Sequence, residues 1–492
     1  MSGRNGRTPV LIGGGQATYR GPPARSPELS PAGFAAAAAQ RALADAGVRA
    51  EQVDRIAAVR MTADNAAKGP STFPRAVARR IGADPREAIY GHLGGQSPQA
   101  FVNECAEALY AGICDMALIV AAEATGLERA ARRAGIDLDR AEDAPGECDD
   151  RGPGDLRVHP VEAQHGLYVP VIVYSLIEHA LRARLRRTRA AHAEAMAQLF
   201  AAFSRVAAAN PHAQFPVERS AEFLSTESAE NYRVSDPYLK WLVAQDAVNQ
   251  GAAVLMTTVA TADALGIPTE RRVHLHGYAS AADVPLIERV DMAASRPLEL
   301  AVRAAFDMAG WDSGEIALAD IYSCFPCAVF AACEALGLPA HDGAALTVTG
   351  GLPYFGGAGN GYSLFAIAEM IAQLRARPGV KGLVTANGGF LSKEAVGLYS
   401  TEPPRDWRPA PAVTAAPERV AVDPVPQGNG TIESFTVAFN RGAPAHGIVT
   451  GRTESGARFA ATGEAAGLLD GEPIGRRVRI APDGKINTFV LH

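Results

Sequence analysis

No apolar run in the 492 residues approaches the roughly 20 that a membrane-spanning helix needs. The first residues, MSGRNGRTPVLIGGGQ, hold neither the apolar stretch nor the small-residue cleavage site of a secretory leader. The expectation is a soluble, cytoplasmic chain with no membrane partner. Cysteine is scarce: six in a chain this long make no disulfide framework, and a reducing compartment would keep them free. Excess charge is lacking too. A formal net charge of −6 gives no general attraction for nucleic acid or an anionic membrane. The run GGGQ from Gly13 lacks the G-x-G-x-x-G spacing and the later acidic residue of a dinucleotide site.

What is present is a duplication. GFAAAAAQRALADAGV followed by VDRIAAVRM matches PLELAVRAAFDMAGW followed by IALADIYSCF: helix, Ala-Gly stop, strand. A second pair follows, with GHLGGQSPQAFVNECAEALYAGICDMALIVAAEATG set against GGLPYFGGAGNGYSLFAIAEMIAQLRARPGVKGLVTANGG. Gly47 to Gly94 and Gly310 to Gly357 both span 47 positions. Strands alternating with helices predict a mainly parallel sheet covered on both faces, built as two similar α/β halves. Strands are predicted at Pro9–Gly13, Val53–Arg60, Ala88–Gly91 and Met116–Ala121, with another from Gly251.

Residues 123–250 read as a helical insertion, of the kind that shapes a site at strand ends. It carries a basic cluster, Arg182, Arg184, Arg186, Arg187 and Arg189, readable as a solvated helix face or as an anchor for a phosphate-bearing ligand. The domain plan is an N-terminal half over residues 1–265 including the insertion, a second half over 266–404, a proline-rich linker over 405–426, and short alternating strands over 427–492 that predict a small β barrel.

Cys324-Phe325-Pro326-Cys327 has the local layout of a dithiol redox site. A thioredoxin-like domain would be one short βαβ unit rather than half of a duplicated core. A zinc site would need a second ligand pair at comparable spacing, and none is present; no metal is expected. Pro326 suits a first helical turn, so a thiol at Cys324 would feel a helix N-terminus that favours its thiolate. A buried, inert thiol is the alternative.

VNECAEALYAGICDMALIVAAEA, NYRVSDPYLKWLVAQDAVNQGAA, DIYSCFPCAV, GGLPYFGGAGNGYS and LVTANGGFLSKEAVGLYSTEPP together resemble the thiolase superfamily, specifically the thiolase-like protein type 1 group, often labelled acetyl-CoA acetyltransferase. The resemblance covers most of Met1 to Pro404, and the tail is similar to that group's extra OB-like domain. It implies a thiolase fold of two duplicated βαβαβ-type halves with a helical insertion, plus a small all-β OB-like barrel. It also implies an acyltransferase acting on a CoA thioester, with CoA or acyl-CoA as ligand, no permanently bound cofactor, and a homodimer or a monomer.

Thiolases pass an acyl group through a nucleophilic cysteine with histidine partners and a second, proton-moving cysteine. All four positions depart from that pattern here. The first cysteine is met by Gly94, Gly95, Gln96 and Ser97; the Gly-His-Pro histidine by Gly357; the second cysteine by Asn387; and the histidine of the sterol-carrier-type motif by Tyr322. The resemblance places Cys324 on the active-site floor, with Cys327 and Cys333 in the core. Tyr322, Cys324, Asn360 and Asn387 are therefore the catalytic candidates, and Gln96, Ser97, Tyr354, Gly357 and Tyr362 the substrate-binding ones. Tyr or Asn donates to a thioester oxygen or enolate without a histidine. Ser97 has no evident base except His92 and reads otherwise as a helix cap, while His165, His179 and His212 read as structural residues of the insertion. Two further readings stand beside acyl transfer: an aldolase-like C–C lyase on β-hydroxyacyl-CoA, and a non-catalytic acyl-CoA binding protein.

Overall fold

The matched helices end where the sequence stops them. Gly47 and Gly310 both cap in the left-handed region, at φ 68° and 65°, where a residue without a β-carbon is unstrained. The coordinates are a computed structural model that describes residues 5–24, 26–62, 71–138, 144–413, 417–440 and 442–491.

Ten strands precede the proline-rich segment: β1 Pro9–Thr18, β2 Arg55–Ala58, β3 Glu87–Tyr90, β4 Met116–Glu123, β5 Asp149–Asp150, β6 Gln250–Thr258, β7 Val273–Ala282, β8 Ile316–Asp320, β9 Lys381–Gly388 and β10 Lys393–Ser400. They form one sheet in the order β5-β3-β2-β4-β6-β1-β7-β10-β9-β8. The sheet is mixed rather than mainly parallel. Its flanks, β5/β3/β2/β4 and β9/β8, are parallel, but every pairing from β4 through β6, β1, β7 and β10 to β9 is antiparallel. The loop from β9 to β10, residues 389–392, is too short for the crossover that parallel neighbours require.

Within the sheet the two halves are joined where Val10 and Leu11 of β1 face His274 and Val273 of β7. Helices Ser97–Ala111 and Tyr362–Ala376 pack on strands of both halves, while Pro31–Ala46 covers β1 and β6 and Arg296–Ala309 covers β7 and β10. The run GGGQ has a packing role. A β-carbon at Gly13 or Gly15 would lie 2.2 or 2.1 Å from the carbonyl oxygens of Ala42 and Ala38, so glycine lets the helix settle onto β1.

Beyond residue 427, β11 Gly428–Asn440, β12 Ala443–Thr453, β13 Arg458–Gly463, β14 Arg477–Asp483 and β15 Ile486–Leu491 close into a barrel in the order β11-β12-β13-β15-β14. The proline-rich segment before it is anchored rather than free: Trp407 is buried and stacks on Tyr278, whose hydroxyl accepts from the Ala410 N–H at 2.9 Å. The insertion joins barrel to sheet. Ser434 donates to the Leu176 carbonyl at 2.5 Å, and His165 Nδ1 lies 2.9 Å from the Thr462 hydroxyl. Arg458, buried within the barrel, pairs with Glu433 at 2.7 Å and donates to the Ile287 and Arg289 carbonyls. No described helix is long and apolar enough to cross a membrane.

Candidate active site

Helices that follow strands leave their first turns at the strand ends, and five segments converge there. They are the loop before helix Ser97–Ala111, the loop between β8 and helix Pro326–Leu336, the loop before helix Tyr362–Ala376, the end of β9, and helix Pro170–Arg184 of the insertion. Between them lies a cavity of about 540 Å³ lined by Tyr322, Cys324, Gly357, Asn360 and Asn387 among the sequence candidates.

Asn387 and Tyr174 organise its floor. The Asn387 side-chain N–H donates to the Tyr174 hydroxyl at 2.8 Å and lies 3.7 Å from Cys324 Sγ, and its Oδ1 accepts from the Leu391 N–H at 3.1 Å, which orients the amide. Tyr174 in turn hydrogen-bonds the Cys324 thiol, and its ring stacks on Phe325 at 4.3 Å between centroids. Burial pushes the Cys324 thiol up to about 12, overriding the Tyr174 hydrogen bond and the helix N-terminus expected to favour its thiolate. Burial also raises the phenols of Tyr174 and Tyr322 well above the usual tyrosine range. Near neutral pH the floor is therefore a set of neutral hydrogen-bond donors. No histidine lines it among the described residues.

The Tyr322 hydroxyl makes no hydrogen bond to a described residue. It presses against Gly95, where a β-carbon would lie 2.2 Å from the phenol oxygen and 2.4 Å from the Asn387 carbonyl oxygen. The loop that carries the nucleophile in thiolases thus has no room for any side chain at position 95. Asn360 ties two loops together: its Oδ1 accepts from the Gly94 N–H at 3.0 Å and its amide donates to the Arg60 carbonyl at 2.8 Å.

The remaining candidates lie outside the lining. Tyr354 donates to the Trp241 carbonyl at 2.9 Å, and Tyr362 to Asp320 at 2.8 Å, both as core residues. Ser97 donates to the His92 carbonyl at 3.0 Å, so His92 offers it no ring nitrogen as base. Gln96 packs beside Gly388 with its Oε1 unpartnered. The arginine cluster does not reach this cavity either: Arg184 pairs with Asp291 and Glu334, Arg182 with Glu472, and Arg189 with Asp236.

Sequence reasoning missed Tyr174 and Glu123. Tyr174 sits in the insertion with no motif around it. Glu123 ends β4, is buried, accepts from the Thr62 N–H at 2.7 Å, and lines the cavity. Its only sequence signal is a carboxylate closing an otherwise apolar strand.

Residues 409–485 match the family model of the thiolase-like protein type 1 additional C-terminal domain. The whole fold superposes on the monomeric SCP2-thiolase like protein type 1 of Mycobacterium smegmatis at a TM-score of 0.85, with 38% identity and 99% of each chain covered. The chain belongs to the SCP2-thiolase-like protein type 1 family. Members of the wider fold include the Ltp2–ChsH2(DUF35) aldolase, at 18% identity and a TM-score of 0.61 over 80% of this chain and 98% of that one. The dimeric peroxisomal thiolase of Saccharomyces cerevisiae is similar at 14% identity and 0.57 over 80% and 98%. No curated protein matches the chain significantly. This type 1 chain thus keeps the thiolase scaffold around a floor built from Tyr174, Tyr322, Cys324 and Asn387.

Proposed function

We propose that the protein cleaves or forms a C–C bond in a β-hydroxyacyl-CoA thioester without an acyl-enzyme. The observation that carries this reading is the unengaged Tyr322 hydroxyl beside the oriented Asn387 amide and a neutral Cys324 thiol. Acyl transfer of the kind the family label suggests needs a thiolate with its base, and Cys324, the one thiol lining the cavity, is held protonated with no histidine near it. Neutral donors suit a different task. Aimed at a thioester oxygen, they gain strength as negative charge develops there.

In the cleavage direction the Glu123 carboxylate takes the proton of the β-hydroxyl as the Cα–Cβ bond breaks. The electron pair passes to the thioester enolate, whose oxygen is held by Tyr322. The β-carbon leaves as an aldehyde or ketone, and the proton on Glu123 is delivered to the α-carbon, giving the shortened acyl thioester. Atoms and charge balance with no cofactor. Among the described residues the lining has two carboxylates, Glu123 and Asp246, and no lysine or arginine, so this part of the cavity suits the uncharged thioester end of the substrate while the phosphates of CoA stay outside.

Mass spectrometry of acetoacetyl- and β-hydroxyacyl-CoA esters incubated with the protein, with and without free CoA, tests this. Cleavage of β-hydroxyacyl esters alone, without added CoA and lost in Tyr322→Phe, is the expected result. Acetoacetyl-CoA split by CoA would restore acyl transfer, and esters retained but unchanged would leave a binding role.

A further inference from the structure

A second cavity, of about 530 Å³, lies between the two long insertion helices, Pro170–Arg184 and Arg189–Ala209, and the barrel. It shares no lining residue with the candidate active site. We infer that it binds a small amphipathic carboxylate, with the head among Arg189, Arg233 and His192 and the tail against the barrel.

Three observations carry this. The first is charge. Arg182, Arg189 and Arg233 line the cavity against one carboxylate, Asp236, whose Oδ2 takes Arg189 Nη1 and His179 Nε2 at 2.9 Å each and whose Oδ1 takes Arg233 Nη1 at 3.2 Å. Arg189 and Arg233 share that acid, with Arg233 also reaching Glu227 outside the lining at 3.4 Å, while Arg182 pairs with Glu472. The lining itself is short of negative charge, and guanidinium is the group that reads a carboxylate with paired N–H donors.

The second is an unmet hydrogen bond. His192 is 1% exposed and lines the cavity. Its Nε2 lies 2.6 Å from Glu178, which is fully buried and also takes the Tyr238 hydroxyl at 2.6 Å and the Cys327 N–H at 2.8 Å. Donors converge on Glu178, so the Nε2 proton belongs to His192. The other ring nitrogen, Nδ1, is buried with no partner. A buried polar atom left unpaired is destabilising, and native structures rarely keep one without a use. A carboxyl group answers it in either ring state: as the acid it donates to the neutral nitrogen, and as the carboxylate it accepts from the protonated one.

The third is the rest of the lining, where Met196, Leu239, Leu242, Phe439 and Leu469 supply apolar surface beside the guanidiniums. Guanidinium donors and hydrocarbon within one cavity are the complement of a carboxylate with a short chain. The inference stands apart from the reaction proposed above, since none of these residues faces the candidate active site.

Titration calorimetry of the full chain with sodium decanoate tests the site, with decanol as the uncharged control. The expected result is one decanoate bound per chain, with decanol at least about tenfold weaker, and loss of decanoate binding in Ala193→Trp, which fills the cavity without touching its charges. No decanoate binding, or decanol binding equally well, would overturn the inference. If Ala193→Trp does not fold, a photoreactive decanoate on the unaltered protein decides. Labelling within residues 189–196 or 465–472 supports the site, whereas labelling of Tyr174 or Phe390 overturns it.

Discussion

Adding a side chain at position 95 tests the geometry of the candidate active site most directly. A β-carbon there would lie 2.2 Å from the Tyr322 hydroxyl oxygen and 2.4 Å from the Asn387 carbonyl oxygen, each more than about 1 Å inside an ordinary non-bonded contact of ~3.5 Å. The phenol can swing away; the carbonyl cannot, because Asn387 lies in β9 paired with Glu394 of β10. Overpacking of this kind costs about 1–3 kcal/mol, and with one contact to sheet backbone the upper end applies. Urea unfolding of Gly95→Ala should therefore show a loss of about 3 kcal/mol. Measured against Tyr322→Leu alone, Gly95→Ala/Tyr322→Leu should still be clearly destabilised, since the backbone contact remains. Gly95→Cys should gain no thiolysis, because the restored thiol has neither space nor a histidine. A Gly95→Ala protein as stable as the parent would refute the argument, and with it the claim that this loop has lost its room for a nucleophile.

Three further outcomes follow from buried polar groups. Arg458→Met leaves Glu433 with Arg452 alone and strips the buried Ile287 and Arg289 carbonyls of their donor; a loss of about 3 kcal/mol is expected from the unmet carbonyls, with faster proteolysis of the segment before the barrel, and unchanged proteolysis would contradict it. Burial pushes Glu162 up to about 7 from a usual 4.5, against the His159 and Ile287 N–H groups. The folded protein holds that proton more tightly than the unfolded chain, so the contribution is complete below about pH 4.5 and is lost as pH rises to about 7. Stability of the parent relative to Glu162→Gln should fall across that window, and a constant difference would count against it. All six cysteines are free, five of them buried, with only Cys148 partly accessible; a thiol reagent should titrate about one thiol in the native protein and the rest only after unfolding.

The duplicated scaffold was legible because helix stops and apolar strands repeat at equal spacing, and Gly47 and Gly310 stop their helices by the same backbone conformation. Strand direction was not legible. Apolar periodicity is the same in parallel and antiparallel strands, and β10, reached through a four-residue loop, carried no separate signal. In the site, Tyr322 and Asn387 were found where the chain departs from a motif and Cys324 where it keeps one, and the cavity brings them together. Tyr354 and Tyr362 were chosen for their polar tips, but buried tyrosines satisfy those tips inside the core, here on Trp241 and Asp320. Tyr174 went unseen because a tyrosine in an apolar helix looks like packing until the fold shows what its hydroxyl meets.

The insertion leaves the sheet after Glu123 and re-enters at Gln250, and these two residues face each other across the β4–β6 ladder. Residues 124–249 therefore start and finish at one rung, returning to the sheet between them as the two-residue edge strand β5 beside β3. Closing such a loop costs little more when it is lengthened, since the entropy grows only with the logarithm of its length. Evolution can exchange, shorten or extend the excursion beyond β5 without disturbing β4 and β6, and Glu123 at the rung already looks into the cavity. The scaffold thus behaves as a socket: new substrate preferences can be grafted at one seam, and hybrids spliced at that rung are the natural route to engineering them.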